Sequence, residues 1–244
     1  MLITLHSLKK IMTWFIPPTC ILCHQPSDRP QDLCQGCLNE LPILPQTCLR
    51  CAKTFTTPTF SDLICGECLN HPPPFEAAYA LFSYQKPITK LIMELKFHQC
   101  LVNAKVLGEL MADAIHQRWY ATKPLPDLII PMPLHPQRLK ERGFNQALEI
   151  ARPIAKILKL PLDFTSCTRI KSTAAQARLP AEKRSQNVKN AFATATNFSG
   201  RHIALIDDVT TTGHSMQELA KTLKKAGSPQ IDVWFCARAL FEDL

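Results

Sequence analysis

The stretch whose side chains are most suited to ligand binding or catalysis is a run of acidic, hydroxyl-bearing and glycine residues in the last fifth of the chain. It consists of Asp207, Asp208, Val209, Thr210, Thr211, Thr212, Gly213, His214 and Ser215. A short apolar run, 203–206, precedes it, and an amphipathic helix is predicted over 215–226. Because a helix N-terminus offers unpaired N–H groups and about half a positive charge, this order predicts a phosphate-binding loop.

The two adjacent aspartates need an explanation of their own, because carboxylates repel each other and also repel a phosphate. Ribose hydroxyls can donate hydrogen bonds to them, and a Mg²⁺ ion can offset the remaining negative charge. Asp207 and Asp208 therefore predict a phosphorylated sugar bound together with Mg²⁺, rather than a phosphate alone. The alternative is an Asp-Thr helix cap in which the threonines are incidental.

A second candidate site lies between the apolar run 128–130 and a helix predicted over 145–158. Prolines stiffen the exit from the predicted strand, and Arg138, Lys140 and Arg142 can bind phosphate oxygens. Cations in such a place would stabilise the negative charge that develops on a leaving pyrophosphate. The alternative is a solvated basic surface loop.

The positive charge of the chain is concentrated in one region. The formal net charge is +8, and residues 138–201 contain thirteen basic residues against four acidic ones. This region includes a third polar, basic segment from Arg169 to Val188. The charge surplus predicts polyanionic partners, meaning phosphates, nucleic acid or both.

Eight of the eleven cysteines form four Cys-x-x-Cys pairs, which are Cys20/Cys23, Cys34/Cys37, Cys48/Cys51 and Cys65/Cys68. Each pair can offer two thiolates, and two pairs make one tetrahedral zinc site, so the spacing predicts two structural Zn²⁺ ions. We expect sequential pairing, with Cys20 to Cys37 at one site and Cys48 to Cys68 at the other. An interleaved arrangement, a redox role and an iron–sulfur cluster are the alternatives.

Predicted strands and helices alternate after the cysteine-rich region. Strands are predicted over 77–84, 128–130, 162–167, 203–206 and 231–237, and helices over 87–97, 103–119, 145–158, 181–190 and 215–226. This alternation predicts an α/β fold with a doubly wound, mainly parallel sheet, whose carboxyl edge binds the ligand.

The predicted domain order begins with an N-terminal amphipathic helix over 1–17, followed by a cysteine-rich module over 18–70. A Pro-rich linker over 71–76 then leads to the α/β domain, 77–244. The N-terminal helix caps the next module or contacts a membrane surface. No apolar run reaches the ~18 residues that cross a bilayer, and no cleavage site of a signal peptide follows the helix.

The stretch 206–213 closely resembles the phosphoribosyl pyrophosphate motif of type I phosphoribosyltransferases. In that family the acids hold the ribose hydroxyls, and the following loop holds the 5-phosphate. By position, the resemblance gives the sugar role to Asp207 and Asp208, and the phosphate role to Thr211, Thr212, Gly213, His214 and Ser215. Thr210 fills a position at which the family varies and is included in the predicted ligand-binding set.

The same resemblance places the pyrophosphate loop at Arg138 and Arg142. Those two arginines and the two aspartates are therefore the residues expected to act in catalysis. The resemblance also places a hood-like loop that closes over the substrate at the third basic segment. An ordinary surface loop with a helix is the alternative for that segment.

Several motifs together resemble the ComF family: 142–146, Gln176, Arg184, Asn187-Val188 and the aspartate loop. Members have an N-terminal double zinc ribbon and a phosphoribosyltransferase-like domain. The resemblance implies a role in DNA uptake during natural transformation, with single-stranded DNA and a helicase or translocase as partners. It also implies a cytoplasmic location, with peripheral association at the inner membrane.

Two functions therefore stay open at the level of sequence. The first is an enzyme that takes phosphoribosyl pyrophosphate with Mg²⁺ and transfers the phosphoribosyl group to a nitrogen acceptor. No residue is identified as its general base. The second is a non-catalytic adaptor whose phosphate loops bind phosphoribosyl pyrophosphate, a nucleotide or a DNA 5-phosphate. Its basic residues 138–201 would hold single-stranded DNA and pass it to a helicase or translocase. Base stacking on Phe144, Phe164, Phe192 or Phe198 would assist the adaptor, although core packing is the alternative for them.

Overall fold

The computed structural model describes residues 18–55, 64–172 and 188–239. The predicted helix over 1–17, most of the helix over 181–190 and residues 173–187 of the hood-like segment lie outside the described residues. The chain divides into two compact units, Met1–Leu41 and Pro42–Leu244. The sequence-based bounds of 18–70, 71–76 and 77–244 differ from this division and stay a prediction.

The described residues form short helices in the cysteine-rich segments and longer ones after them. The helices are α1 (Gln35–Asn39), α2 (Gly66–Asn70), α3 (Ile88–His98), α4 (Leu101–Ala114), α5 (Pro136–Arg142), α6 (Gln146–Leu158) and α7 (His214–Lys225). A π-helical turn, Ile115–Trp119, continues α4. The strands are β1 (Ala77–Ser83), β2 (Leu128–Pro131), β3 (Cys167–Arg169), β4 (Phe192–Thr194), β5 (His202–Thr210) and β6 (Gln230–Arg238).

A four-stranded parallel sheet in the order β1-β6-β5-β2 forms the centre of the larger unit. Ile206 of β5 lies opposite Pro131 of β2 and opposite Trp234 of β6. Every residue of β6 after Gln230 is buried, as expected for a parallel strand that is covered on both faces. The predicted α/β class with a parallel sheet is therefore confirmed.

Helices α4 and α6 pack against each other at a distance that only glycine permits. A Cβ atom on Gly108 would lie 2.4 Å from the carbonyl oxygen of Ile150 and 2.4 Å from Cγ of Pro153. Atoms at that distance overlap, so the absence of a side chain at Gly108 lets the two backbones approach. The close contact fixes α6, whose N-terminal end reaches the carboxyl edge of the sheet.

One predicted strand, 162–167, is wrong in its bounds. Leu162 forms only an isolated bridge with Ile129, and β3 begins later and pairs antiparallel with β4. The carboxylate of Asp163 accepts hydrogen bonds from the backbone N–H groups of Thr165 and Ser166, both at 3.0 Å. These bonds form a turn and take up N–H groups that a continuous strand would have used.

The segment 42–55, which carries Cys48 and Cys51, packs on the parallel sheet. The N–H of Leu44 donates to the carbonyl of Leu81 at 2.9 Å, and the N–H of Ala78 donates to the carbonyl of Leu49 at 3.0 Å. Ala52 is fully buried in the hydrophobic core of the larger unit. The second half of the cysteine-rich region is therefore part of the larger compact unit.

Among the described helices, none combines the length and the hydropathy that crossing a membrane requires.

Candidate functional site

The turn 211–213 joins β5 to α7 at the carboxyl edge of the sheet, whereas Asp207 and Asp208, which the sequence placed in the loop, belong to the last residues of β5. Strand β5 ends at Thr210, and α7 begins at His214. Gly213 caps the helix with φ = 74°, a left-handed conformation that glycine adopts without a steric penalty. The predicted order of strand, loop and helix N-terminus is present.

The two adjacent aspartates have different surroundings. Asp208 is 3% exposed, and one of its carboxylate oxygens forms an ion pair with the ammonium group of Lys96 on α3. The other carboxylate oxygen lies 3.5 Å from the side-chain amide nitrogen of Gln146 at the start of α6. Burial favours the neutral form, but the charge and hydrogen bond of Lys96 outweigh it, so the pKa of Asp208 lies below its usual value.

Asp207 lies on the wall of a cavity, and within the described part of the chain no cation lies at ion-pair distance from it. One of its carboxylate oxygens accepts the backbone N–H of Asp208 at 2.9 Å. Burial, followed by the negative charge of Asp208, raises the pKa of Asp207 well above its usual value. Asp207 therefore gains most from a bound cation or from hydroxyl donors.

The cavity at the carboxyl edge has a volume of about 580 Å³, within the range of ~300–1,000 Å³ that small-molecule sites occupy. Four of its lining residues carry positive charge, and they come from three separate parts of the chain: Lys96, Arg138, Arg142 and Arg169. The described part of the cavity wall therefore combines three carboxylates, those of Glu141, Asp207 and Asp208, with several cations. A mixture of both charges suits a sugar phosphate that binds with a divalent cation.

Arg138 and Arg142 lie four residues apart on α5, so both face the cavity. The guanidinium of Arg142 donates to the side-chain oxygen of Gln146 at 2.5 Å. Helix α5 ends at Gly143, which has φ = 83°. The sequence predicted a basic loop here, whereas the structure places the arginines on a short helix.

The predicted site residues are distributed over two cavities. Asp207, Asp208, Arg138, Arg142 and Ser215 line the larger cavity. Thr210 to His214 line a second cavity of about 150 Å³, together with residues of the second cysteine cluster and of β6. Within the described residues, the segment 207–215 therefore borders a hollow on each of two sides, and the second hollow could not be inferred from the sequence.

Two residues of the larger cavity, Lys96 and Gln146, contact Asp208, and the sequence analysis did not identify them as site residues. The sequence analysis considered Lys96 only as part of the helix predicted over 87–97, and Gln146 only as part of a family motif and of the helix predicted over 145–158. The available signal was the spacing of Met93, Lys96 and Phe97, which places three different side chains on one helix face. All three line the cavity.

The eight paired cysteines form two clusters of four, with sequential pairing as predicted: Cys20, Cys23, Cys34 and Cys37 in one, and Cys48, Cys51, Cys65 and Cys68 in the other. Within each cluster all sulfur atoms lie within 4.8 Å of one another. The Cys23–Cys34 and Cys51–Cys65 sulfur pairs are 3.8 and 3.7 Å apart. A tetrahedral zinc with Zn–S bonds of about 2.3 Å holds its sulfurs about 3.8 Å apart, so the clusters fit Zn²⁺.

The charge of the clusters also calls for a cation. Burial and the neighbouring Cys48 thiol raise the pKa of Cys51 to about 12, because a second thiolate close by is repelled. Four thiolates coexist in one cluster only when a metal ion neutralises them. All four positions around each metal are filled by protein, so the zinc ions are structural.

Comparison with known proteins agrees with this description. Residues 11–69 match the family model for a double zinc ribbon domain. Among solved structures, the chain is similar to the purine phosphoribosyltransferase from Pyrococcus horikoshii Ot3, with 15% identity and a TM-score of 0.33, over 54% of this chain and 80% of that one. It is also similar to the hypoxanthine phosphoribosyltransferase from Trypanosoma cruzi in complex with the product IMP, with 11% identity and a TM-score of 0.32, over 54% of this chain and 64% of that one.

The fold and the cysteine clusters together define a class of protein with a double zinc ribbon and a parallel α/β sheet. The chain is 34% identical to DNA utilization protein YhgH of Escherichia coli (strain K12) over 227 residues, which cover 92% of this chain and 99% of that protein. It is 34% identical to competence protein F of Haemophilus influenzae over 212 residues, which cover 85% and 90%. The chain therefore belongs to the family of these two proteins, which is the ComF family expected from the sequence.

Proposed function

We propose that the chain binds a ribose 5-phosphate compound of the phosphoribosyl pyrophosphate type, together with Mg²⁺, in the larger cavity. The observation that carries the proposal is the meeting of Asp207 with Arg138 and Arg142 around one hollow at the carboxyl edge of the sheet. The carboxylates of Asp207 and Asp208 are hard oxygen ligands of the type that Mg²⁺ prefers. The arginines would bind the pyrophosphate group. Ser215, at the N-terminal end of α7 and on the wall of the same cavity, would bind the 5-phosphate.

Binding of this kind supports a transfer reaction as the first candidate activity. The C1–O bond to pyrophosphate would break, and its electron pair would leave on the pyrophosphate oxygen. An acceptor nitrogen would form the new bond to C1 and lose its proton to the departing pyrophosphate or to water. Arg138 and Arg142 would stabilise the charge on the leaving group without any covalent role.

The binding proposal predicts that Asp207→Asn lowers the affinity for phosphoribosyl pyrophosphate in Mg²⁺ by about tenfold or more, since a charge-assisted contact is lost. Isothermal titration calorimetry of the full chain measures this affinity. The matched control is Asp113→Asn on α4, because Asp113 does not line the cavity. Equal affinity in the Asp207 variant and the unaltered chain would contradict the assignment of the sugar site.

The second candidate is a DNA-handling adaptor without turnover, and the basic surplus favours it. Residues 138–201 carry thirteen basic residues against four acidic ones, and three of those arginines line the cavity. The relatives named for DNA utilization and competence support a role in DNA uptake or use. We infer that single-stranded DNA binds along this basic region. The helicase or translocase partner and a location on the cytoplasmic side of the inner membrane stay predictions.

The two candidates differ in the release of pyrophosphate. We expect release from phosphoribosyl pyrophosphate only when an acceptor base or oligonucleotide is present, if the chain is an enzyme. Saturable binding of phosphoribosyl pyrophosphate without any release, across a panel of bases and oligonucleotides, would leave the adaptor as the function. A coupled pyrophosphate assay on the full chain measures the difference.

A further inference from the structure

Helix α3 presents an aromatic side chain beside the carboxylates of the site. Lys96 forms the ion pair with Asp208, and the next residue, Phe97, lines the same cavity and is 61% exposed. Consecutive Cα atoms are only about 3.8 Å apart, so the Cα atom of Phe97 is that close to the Cα atom of Lys96, the partner of Asp208. Met93, one turn earlier on α3, also lines the cavity and is 45% exposed.

Phe97 is linked to the site from a second direction. The guanidinium of Arg142 lies 6.0 Å from the centre of its ring, and the same group donates to Gln146. Gln146 in turn contacts Asp208. One chain of contacts therefore connects the ring to the carboxylate, through Arg142 and Gln146.

Exposure of a phenylalanine does not by itself indicate a ligand. Phe164 is also exposed, at 51%, and the guanidinium of Arg152 lies 5.8 Å from its ring. Phe164 does not line the cavity, however. What distinguishes Phe97 is its place on the wall of a cavity that also contains cations and carboxylates.

We propose that Phe97, with Met93 beside it, is the stacking platform for a nucleobase whose sugar and phosphate occupy the rest of the cavity. This inference rests on the proposed sugar-phosphate function and adds the class of ligand, namely a nucleotide rather than a sugar phosphate without a base. An aromatic face stacks on any base, and a nearby arginine adds a cation–π contribution. The sequence interpretation placed base stacking elsewhere, and two of its candidates, Phe192 and Phe198, are 5% and 3% exposed.

The base could belong to a free nucleotide or to the 5′ end of a DNA strand, and the test has an arm for each. The probes are ribose 5-phosphate, adenosine 5′-monophosphate and a 5′-phosphorylated oligodeoxyadenylate, each titrated into the full chain with Mg²⁺. We expect Phe97→Leu to weaken binding of the two adenine-bearing probes by about tenfold, in line with the loss of one stacking contact. The loss for ribose 5-phosphate should stay below about twofold, because that probe has no ring to stack.

Two further variants serve as controls. Phe97→Trp keeps an aromatic face and should keep the affinity for the adenine-bearing probes. Phe164→Leu removes a ring of similar exposure away from the cavity and should leave all three affinities unchanged. A loss confined to the mononucleotide or to the oligonucleotide identifies the natural source of the base.

The outcomes separate this inference from the proposed function. Equal effects of Phe97→Leu and Phe164→Leu, or adenosine 5′-monophosphate that binds no tighter than ribose 5-phosphate, would overturn the platform. Failure of ribose 5-phosphate and phosphoribosyl pyrophosphate to bind would refute the sugar-phosphate function. The platform would still stand in that case if adenine-bearing probes bind and depend on Phe97.

Discussion

At the scale of single residues, the ion pair between Lys96 and Asp208 sets the charge of the candidate site. The side chain of Lys96 is 19% exposed and that of Asp208 is 4% exposed, so neither charge is well hydrated. Each group therefore depends on the other for stabilisation. Removal of the lysine alone leaves a buried carboxylate with no cation beside it, and such a loss costs more than the pair itself contributes.

We predict that Lys96→Met lowers the free energy of unfolding by about 3 kcal/mol at neutral pH. The pKa of Asp208 is lowered in the folded protein, so the pair contributes above the usual carboxyl pKa, and its contribution is lost as pH falls through the lowered value. The difference in the free energy of unfolding between the variant and the unaltered chain should therefore become smaller at acidic pH. Urea unfolding at several pH values measures this difference.

The matched control is Lys90→Met, which removes the same charge from the same helix. Lys90 pairs with Glu94 at 3.8 Å, and its side chain is 57% exposed. An exposed pair of this kind contributes at most about 1 kcal/mol, so this variant should unfold almost as the unaltered chain does. A similar decrease in the free energy of unfolding in both variants would show that the ion pair with Asp208 contributes no more to stability than the exposed pair does.

Residue types and spacing indicated the acidic loop and both cysteine clusters, because adjacent acids and Cys-x-x-Cys pairs carry their chemistry in a short stretch of chain. The sequence did not reveal that Asp207 and Asp208 have different roles. That difference depends on Lys96, which is 111 or more positions earlier and comes close only through the parallel sheet. Contacts of that range cannot be predicted from a local pattern.

At the scale of secondary structure, the packing of α4 on α6 holds one side of the candidate site. The N-terminal end of α6 carries Gln146, which contacts both Arg142 and Asp208. Asn145 caps this helix by accepting the N–H of Ala147 at 3.0 Å. The position of Gln146 therefore depends on the helix that it begins and on the neighbour against which that helix packs.

We predict that Gly108→Ala lowers the free energy of unfolding by about 2–3 kcal/mol, because the new Cβ would overlap a backbone oxygen and a proline ring of α6. The matched control is Gly66→Ala in α2, where an added Cβ meets nothing within 4 Å. That control should be neutral or stabilise slightly. Chemical unfolding followed by circular dichroism measures the free energy of unfolding of both variants. An unchanged value for the Gly108 variant would show that α4 and α6 can move apart without loss of stability.

The apolar periodicity predicted the long elements well and the short ones poorly. Strand β6 and helices α6 and α7 lie where the apolar pattern placed them, whereas β5 continues to Thr210, four residues beyond the predicted strand 203–206. Helix α5 was predicted as a loop, because its seven residues include three basic side chains and no buried residue. A proline at its first position and Gly143 at its end were the available signals, and they mark a helix of this kind.

At the scale of the whole molecule, the two cysteine clusters belong to different compact units. The first lies within Met1–Leu41 and the second within Pro42–Leu244. The guanidinium of Arg238 at the end of β6 donates to the carbonyl of Cys51 at 2.8 Å. Thr210 lies opposite Arg238 in the sheet. Direct contacts therefore lead from the second cysteine cluster to β6, and from β6 to the end of β5, where the phosphate loop begins.

We therefore predict that Cys51→Ser weakens the larger unit and lowers affinity for phosphoribosyl pyrophosphate by about three- to tenfold, since the loop loses support from one side. Cys23→Ser, at the other cluster, should release a zinc ion without this effect. Hydrogen exchange of the full chain measures the change directly. Protection of β5 and β6 should fall in the first variant only, and equal loss of protection in both would contradict the division of roles.

The built-in cation at Asp208 bears on the order in which ligands would enter, if the cavity binds Mg²⁺ with a sugar phosphate as proposed. Lys96 already pairs with Asp208, so a magnesium ion arriving alone would find only Asp207 without an ammonium group beside it. Phosphates that offer Lys96 another anion would free Asp208 for the metal. We therefore expect Mg²⁺ alone to bind more weakly than Mg²⁺ together with the sugar phosphate.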